Sequence, residues 1–303
     1  METLPTESDV AATSIYRKEL FEGLSGRYRS SSTQAEDDHP LIVALHGGTF
    51  SSLYFDVPGV SLFDRANLLG LPILAPDRPG YGESVDLEVG QPALDGNAAL
   101  LRDALGTAWR DYRGSARGIV LLGHSIGAAI AMKVASMALA WPLLGLVLSG
   151  LGLRTPPQSR DTHPAFPEGA KFLMPKQAKD QLMFGPPGSF DARMPLATSI
   201  ADTTVPQREL IEITTVWQHE ILNVAAKIKV PVHYRQAEFD RLWIVDRAEI
   251  AGFAASFSGS PLVDAAMMPG IGHCADFHHS SAGLHFQQLG FALQCAALNK
   301  IAS

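Results

Sequence analysis

Residues 118–131 constrain the fold of this chain more than any other stretch. An apolar run typical of a buried strand, Ile119 to Leu122, is followed closely by a small-residue run typical of a tightly packed helix, Gly127 to Ala131. Between them, Gly123-His124-Ser125-Ile126-Gly127 fits the pattern Gly-x-Ser-x-Gly. Glycine is needed at both ends because a side chain there would collide with neighbouring backbone. The pattern predicts a sharp strand–turn–helix unit with Ser125 at a helix N-terminus, where free N–H groups favour negative charge.

Strand-like and helix-like segments alternate on both sides of this turn. The strand candidates are eight short segments: 15–21, 24–29, 41–45, 72–75, 119–122, 143–148, 230–234 and 261–268. Helical spacing of apolar residues is found between several of them, at 60–69, 98–112, 248–257 and 282–297. This order predicts βαβ units in a mainly parallel sheet, with right-handed crossovers and ligands at the C-terminal ends of the strands.

The alternation stops between residues 151 and 228. Prolines punctuate this stretch and no buried-strand run occurs in it, but short helices are expected near 168–182 and a longer one at about 206–227. A structureless loop of such length is unusual in a compact domain. We therefore predict a core domain made of residues 1–150 and 229–303, and a helical cap over the site at 151–228.

Composition and charge argue against several classes of function. The formal net charge of −7 disfavours a nucleic-acid partner, which would need a basic face. No run of 18 or more apolar residues is found, and acidic residues stand where a secretory signal would have its basic start. We expect a cytoplasmic protein with no membrane partner. The two cysteines, Cys274 and Cys295, do not suggest a disulfide framework, and the oligomeric state stays open.

A serine hydroxyl is a poor nucleophile at neutral pH, so Ser125 needs a base, and the base needs an orienting carboxylate. On this topology the expected chain order is serine, acid, histidine. His273 is the preferred base because it follows the last predicted strand in a glycine-flanked loop. Asp240 is the preferred acid, since it follows the predicted strand at 230–234, and Glu238 is the alternative.

The tetrahedral intermediate of acyl transfer needs N–H donors aimed at its oxyanion. We expect one from Ile126, directly after the serine, and one from Gly48 in the loop after the third strand, with Thr49 as the next choice.

Contacts to a substrate are expected from side chains near these motifs and in the cap: Thr49, His124, Met183, Phe184 and Trp217. The apolar cap residues are available either for a substrate or for the cap's own core: Phe166, Phe172, Leu173, Met174, Met183, Phe184 and Trp217. Neither a metal nor an organic cofactor is expected, because the histidines and carboxylates lack ligand spacing such as His-x-x-x-His.

Taken together, these motifs resemble the α/β-hydrolase superfamily over roughly residues 39–299. The resemblance rests on five features in chain order: His46-Gly47-Gly48, Asp77-Arg78-Pro79-Gly80-Tyr81-Gly82-Glu83-Ser84, Gly123-His124-Ser125-Ile126-Gly127, Asp240 and Gly272-His273. The second is similar to the family's turn after its fourth strand, where it is expected to shape the floor of the site. The cap position and the loop His-Gly-Gly-Thr, in place of His-Gly-Gly-Gly, favour the cap-bearing serine hydrolase or esterase branch.

The resemblance implies an α/β fold: an eight-stranded, mostly parallel sheet with helices on both faces and a helical cap inserted after strand 6. It implies a serine hydrolase that cleaves a carboxylic ester, or a related acyl bond, of a small and largely apolar substrate through an acyl-enzyme intermediate. Ser125 argues against the aspartate nucleophile of epoxide hydrolases and haloalkane dehalogenases. Two alternatives stay open: a carbon–carbon bond hydrolase or cofactor-free enzyme on the same fold, and a non-catalytic module that binds a small molecule.

Overall fold

The structure is a computed structural model that describes residues 14–30, 39–160, 167 and 169–302. The strands in these ranges are β1 (Ile15–Phe21), β2 (Leu24–Arg29), β3 (Leu41–Leu45), β4 (Ile73–Pro76), β5 (Ile119–His124), β6 (Leu143–Ser149), β7 (Lys171–Phe172), β8 (Val205–Pro206), β9 (Val232–Ala237) and β10 (Val263–Met268). The α-helices are α1 (Leu62–Leu68), α2 (Ala93–Tyr112), α3 (Ile126–Ala135), α4 (Lys176–Met183), α5 (Met194–Ala197), α6 (Gln207–Thr215), α7 (Trp217–Ala225), α8 (Arg247–Ser256) and α9 (Ser281–Ala302).

One sheet organises the described part of the chain, with eight strands in the order β1-β2-β4-β3-β5-β6-β9-β10. The β1–β2 and β2–β4 pairs are antiparallel, and every other neighbouring pair is parallel. β7 and β8 form a separate two-stranded ribbon. The predicted eight-stranded, mostly parallel α/β sheet is confirmed, and the eight strand candidates correspond to its strands within three residues at each end.

Helices cover both faces of the sheet because alternate residues of each central strand point to opposite sides. In β3, Leu41, Val43 and Leu45 join a core that also holds side chains of α2, α3 and α7. Ile42 and Ala44 join the opposite core with side chains of α1 and α9. The central strands are therefore buried on both faces, as their continuous apolar runs predict.

The chain between β6 and β9 carries the short helices and the ribbon. One prediction for this stretch is wrong, because the long helix expected there is not continuous. The expected helix at 206–227 is divided at Val216 into α6 and α7. Before the break, the hydroxyls of Thr214 and Thr215 donate to carbonyls of the preceding turn. Such bonds compete with the regular helical ladder and bend helices. The two-domain division stays a prediction.

No helix in the described ranges combines the length and the apolar character that crossing a membrane requires.

Trp217, the first residue of α7, anchors this helix in the core. Its side chain is 0% exposed, and its indole N–H donates to the Gly152 carbonyl at 3.2 Å. We expect Trp217→Ala to lower the free energy of unfolding by about 3–5 kcal/mol, because it leaves a large cavity. Trp217→Phe keeps most of the apolar volume and should lose less. Urea unfolding measures both, and equal losses in the two variants would contradict packing as the cause.

Candidate active site

Ser125 lies on the predicted sharp turn between β5 and α3. Its backbone has φ 55° and ψ −124°, a positive φ that non-glycine residues seldom adopt. The steric reason predicted for the flanking glycines is confirmed. A Cβ atom on Gly127 would lie 2.1 Å from the Leu45 carbonyl oxygen, and one on Gly123 would lie 2.5 Å from Ala128 Cα. The turn is thus possible only with glycine at both places.

The loop after β3 lies beside this turn because β3 and β5 are adjacent and in register, with Leu45 opposite Gly123. Gly48, Thr49, Ser125 and Ile126 line one cavity. A Cβ atom on Gly48 would lie 3.1 Å from Ile126 Cδ1, so the two predicted oxyanion donors belong to residues in close proximity. Within the described ranges, no hydrogen bond between backbone groups uses the N–H of Gly48 or of Ile126 as its donor outside regular structure.

His273 and Asp240 form a buried pair at the same edge of the sheet. Nδ1 of His273 lies 2.7 Å from Oδ2 of Asp240, and neither side chain is more than 7% exposed. The carboxylate is held in turn by Nε2 of Gln236 at 2.9 Å and by the Leu242 N–H at 2.9 Å. The His273 ring centroid is 4.8 Å from that of His124, the residue before Ser125.

The alternative acid, Glu238, occupies a different place. Its side chain is exposed, and its Oε2 accepts a hydrogen bond from the Gly270 N–H at 2.8 Å. The structure therefore puts Asp240, and not Glu238, against His273. The loop that carries both residues follows β9, whereas His273 follows β10, so the pairing depends on these strands being neighbours.

The predicted substrate contact of His124 is corrected, because its ring is buried and is not among the residues that line the cavity. The ring stacks on Tyr54 with centroids 4.9 Å apart, and Nδ1 lies 3.1 Å from the Ser149 hydroxyl. Burial, reinforced by the nearby His273, lowers the pKa of His124 to about 3. The imidazole is therefore neutral over the physiological range.

The cavity above Ser125 has a volume of about 320 Å³. Its apolar wall comes mainly from α4, α6 and the segment after Asp240: Phe172, Met174, Leu182, Met183, Leu210, Ile213, Leu242 and Trp243. Two of the predicted substrate contacts, Thr49 and Met183, line this cavity. One charged side chain, Arg241, is among the described lining residues, and its Nη1 donates to the Gln181 carbonyl at 2.9 Å.

Two predicted substrate contacts lie elsewhere. Trp217 is fully buried in the core beneath α7, and Phe184 packs on Phe190 with ring centroids 4.7 Å apart. Both belong to the apolar core for the same reason, since large aromatic side chains gain most from full burial. Of the other cap candidates, Leu173 is 62% exposed and outside the cavity wall, and Phe166 lies outside the described residues.

The sequence analysis did not predict several residues that line the cavity: Leu210, Ile213 and the segment Arg241–Trp243. The one available signal was position: residues 241–243 directly follow the acid candidate in a loop at the C-terminal edge of the sheet. In the described part of the chain, no group of three or more His, Cys, Asp or Glu side chains has an arrangement suited to a metal ion.

The buried histidines make stability depend on pH. Because burial lowers the pKa of His124 to about 3 and that of His233 to about 4, the unfolded chain binds more protons than the folded one below pH 6.5. The free energy of unfolding should fall from pH 6.5 to pH 4.5, each such histidine contributing roughly 1.4 kcal/mol per pH unit. Urea unfolding of His124→Gln should show a shallower slope than the wild type, and an unchanged slope would be the contrary result.

Comparisons with known sequences and with solved structures both support the α/β fold described above. The sequence profile of the alpha/beta hydrolase family matches residues 42–283. No curated protein sequence matches the chain significantly.

Solved structures that are similar in fold include E-2-(acetamidomethylene)succinate hydrolase, with a TM-score of 0.63, 17% identity, and coverage of 91% of this chain and 99% of that one. An esterase from Thermogutta terrifontis has a TM-score of 0.61 and 16% identity, covering 93% and 98%. A monoacylglycerol lipase from Paleococcus ferrophilus has a TM-score of 0.63 and 14% identity, covering 90% and 100%. At these identities the likeness concerns the fold alone. Because the family profile spans most of the sheet and the loops around Ser125, the chain belongs to the alpha/beta hydrolase family and is a hydrolase.

Proposed function

We propose that this protein is a serine hydrolase that cleaves a carboxylic ester, or a related acyl bond, through an acyl-enzyme intermediate. The observation that carries the proposal is the 2.7 Å bond between His273 Nδ1 and Asp240 Oδ2 at the sheet edge that holds the Ser125 turn. A buried carboxylate on one ring nitrogen makes the other nitrogen a base, which is the arrangement that a serine nucleophile needs.

In the proposed mechanism the Ser125 hydroxyl attacks the acyl carbon while Nε2 of His273 takes its proton. Asp240 keeps Nδ1 protonated and stabilises the imidazolium that forms. The proton then passes to the leaving alcohol, and the serine oxygen retains the acyl group. Water then attacks the acyl carbon and gives a proton to Nε2, and that proton passes to the Ser125 oxygen as the acid leaves. No step requires a cofactor.

The N–H groups of Gly48 and Ile126 are the proposed donors to the oxyanion of each tetrahedral intermediate. Both residues line the cavity with Ser125, and Ile126 is the first residue of α3, where the helix dipole favours negative charge. Donors fixed in the backbone do not have to reorganise as charge develops on the substrate oxygen.

The proposed substrate is small and largely apolar. Side chains of α4 and α6, such as Met183 and Leu210, close the cavity above Ser125, and we propose that the segment 151–228 acts as the cap that selects the substrate. Thr49 is the remaining predicted polar contact on the cavity wall.

Replacement of the nucleophile tests the proposal directly. We expect Ser125→Ala to lower kcat/KM for short-chain nitrophenyl esters by at least about 10⁴-fold, because no other group then forms the acyl-enzyme. A fluorophosphonate probe should label the wild type at Ser125 and leave the variant unlabelled. Equal ester turnover in both proteins would refute the nucleophile assignment. An unlabelled wild type with no turnover would favour a binding module, and turnover of β-diketones without ester turnover would favour carbon–carbon bond hydrolysis.

The acid assignment has a matched control in the same loop. We expect Asp240→Asn to lower kcat by about 10⁴-fold, because an amide beside Nδ1 favours the wrong tautomer of His273. Glu238→Gln, two residues earlier and exposed, should stay within a few-fold of the wild type. Steady-state kinetics at pH 7.5 compare the two, and a larger loss for Glu238→Gln would reverse the assignment.

A further inference from the structure

The segment Asp77–Tyr81 has no part in the mechanism above, yet it lies against the loop that follows β3. We propose that Arg78 is a positioning residue for the oxyanion hole, because its guanidinium holds the Gly47 carbonyl so that the Gly48 N–H faces the cavity. The inference rests on the proposed function, since it takes the Gly48 N–H as an oxyanion donor.

Arg78 binds two successive carbonyls of the loop. Its Nε donates to the His46 carbonyl at 2.8 Å, and its Nη2 donates to the Gly47 carbonyl at 3.2 Å. The Gly47 carbonyl also lies 2.8 Å from Nδ1 of His46. It is therefore held by two side-chain donors, one of them a fixed cation.

The His46 ring supports the same geometry with both of its nitrogens. Nε2 accepts the Arg78 backbone N–H at 3.0 Å, so Nδ1 carries the ring proton that it donates to Gly47. Burial and the adjacent Arg78 charge keep the pKa of His46 well below its usual value. The neutral tautomer that this arrangement requires is thus the one that the surroundings favour.

Peptide planarity transmits this restraint to the donor. In a trans peptide the C=O of Gly47 and the N–H of Gly48 lie in one plane and point in opposite directions. Arg78 is 0% exposed and is not among the residues that line the cavity, whereas Gly48 is. Holding the carbonyl on the Arg78 side therefore directs the N–H to the cavity side. A cation on the carbonyl also polarises the peptide and strengthens its N–H as a donor.

Glu209 of α6 holds the guanidinium in place. Its two carboxylate oxygens accept from Nη1 of Arg78 at 2.6 Å and from Nη2 at 3.1 Å, and both side chains are 0% exposed. Tyr81 and Asn97 donate to the same carboxylate at 2.6 and 3.2 Å. This fork geometry fixes the orientation of an arginine in a way that a single contact does not.

The Arg78–Glu209 ion pair also connects the loop after β3 to the wall of the substrate cavity. Glu209 is followed by Leu210 on α6, and Leu210 and Ile213 form part of the cavity wall. The helix that contacts the substrate in the proposal is therefore the helix that holds Arg78. A buried ion pair is by itself weak support for stability, because dehydrating two charges offsets most of their attraction. In the proposal, the Arg78–Glu209 pair serves to position the Gly48 N–H.

The test separates positioning from folding with a single and a double variant. Arg78→Met leaves Glu209 buried without its cation and should lower the melting temperature strongly. Arg78→Met combined with Glu209→Gln removes both charges. The glutamine oxygen can still accept from Asn97 and its amide N–H can donate to the Tyr81 hydroxyl, so most of the melting temperature should return. The kcat per titrated active site should nevertheless stay about 10²-fold low in the double variant, with KM within about threefold of the wild type.

A transition-state mimic gives a readout that a purely structural role would not change. A trifluoromethyl ketone forms a tetrahedral adduct with a serine, so its inhibition constant should rise by about the same 10²-fold in the double variant. Arg78→Lys keeps a cation beside Glu209 but has one nitrogen in place of the fork. Its kcat should lie between those of the wild type and the double variant.

Lys133→Met is the matched control. Lys133 is 5% exposed, and its ammonium pairs with Asp95 at 2.6 Å and with Glu220 of α7 at 2.7 Å, so it also joins the core to the 151–228 segment. We expect Lys133→Met to lower the melting temperature and to leave kcat unchanged. If Lys133→Met lowered kcat as much as the double variant does, the inference would be overturned. A wild-type kcat in the double variant would overturn it too. Unchanged turnover in Ser125→Ala would instead overturn the proposed function itself.

Discussion

The close approach of two backbones at one edge of the sheet is the constraint on which the rest of the structure depends. The N-terminal turn of α3 presses on the end of β3, so that a Cβ atom on Gly127 would meet carbonyl oxygens of Leu45 and His46 at 2.1 and 2.5 Å. Only glycine allows this contact. It brings the helix N-terminus, the strained Ser125 and the loop after β3 to one cavity, and the proposed oxyanion contacts use that proximity.

Several buried polar groups near the site, outside the cavity lining, are held by more than one contact each. The His124 ring is neutral and stacked on Tyr54, the His46 ring uses both nitrogens, and the guanidinium of Arg78 is paired with Glu209. Above the serine, in contrast, the wall is mainly aliphatic and aromatic. Fixed dipoles near an apolar pocket suit the stabilisation of charge that develops during a reaction, because the dipoles are already oriented when the charge appears.

Much of the fold follows from local patterns, whereas the placement of several side chains does not. The eight strands and the turn at Ser125 are confirmed because the apolar runs, and the clash between Gly123 and Ala128 that glycine avoids, involve near neighbours in the chain. The division of the expected long helix at Val216 and the burial of Trp217, Phe184 and His124 depend on packing against distant residues. Residue type identified these side chains as apolar or polar, but it did not say which surface each would face.

The sequence by itself determined the α/β sheet and the sharp turn at Ser125, and it supplied the proposed serine, acid and histidine in the expected chain order. Only the tertiary structure decided that Asp240, and not Glu238, meets His273, and that Arg78 meets a carboxylate 131 residues away. The physical reason is the same in both cases. Strand order and helix packing bring remote segments to within hydrogen-bond distance, and a one-dimensional pattern contains no measure of that distance.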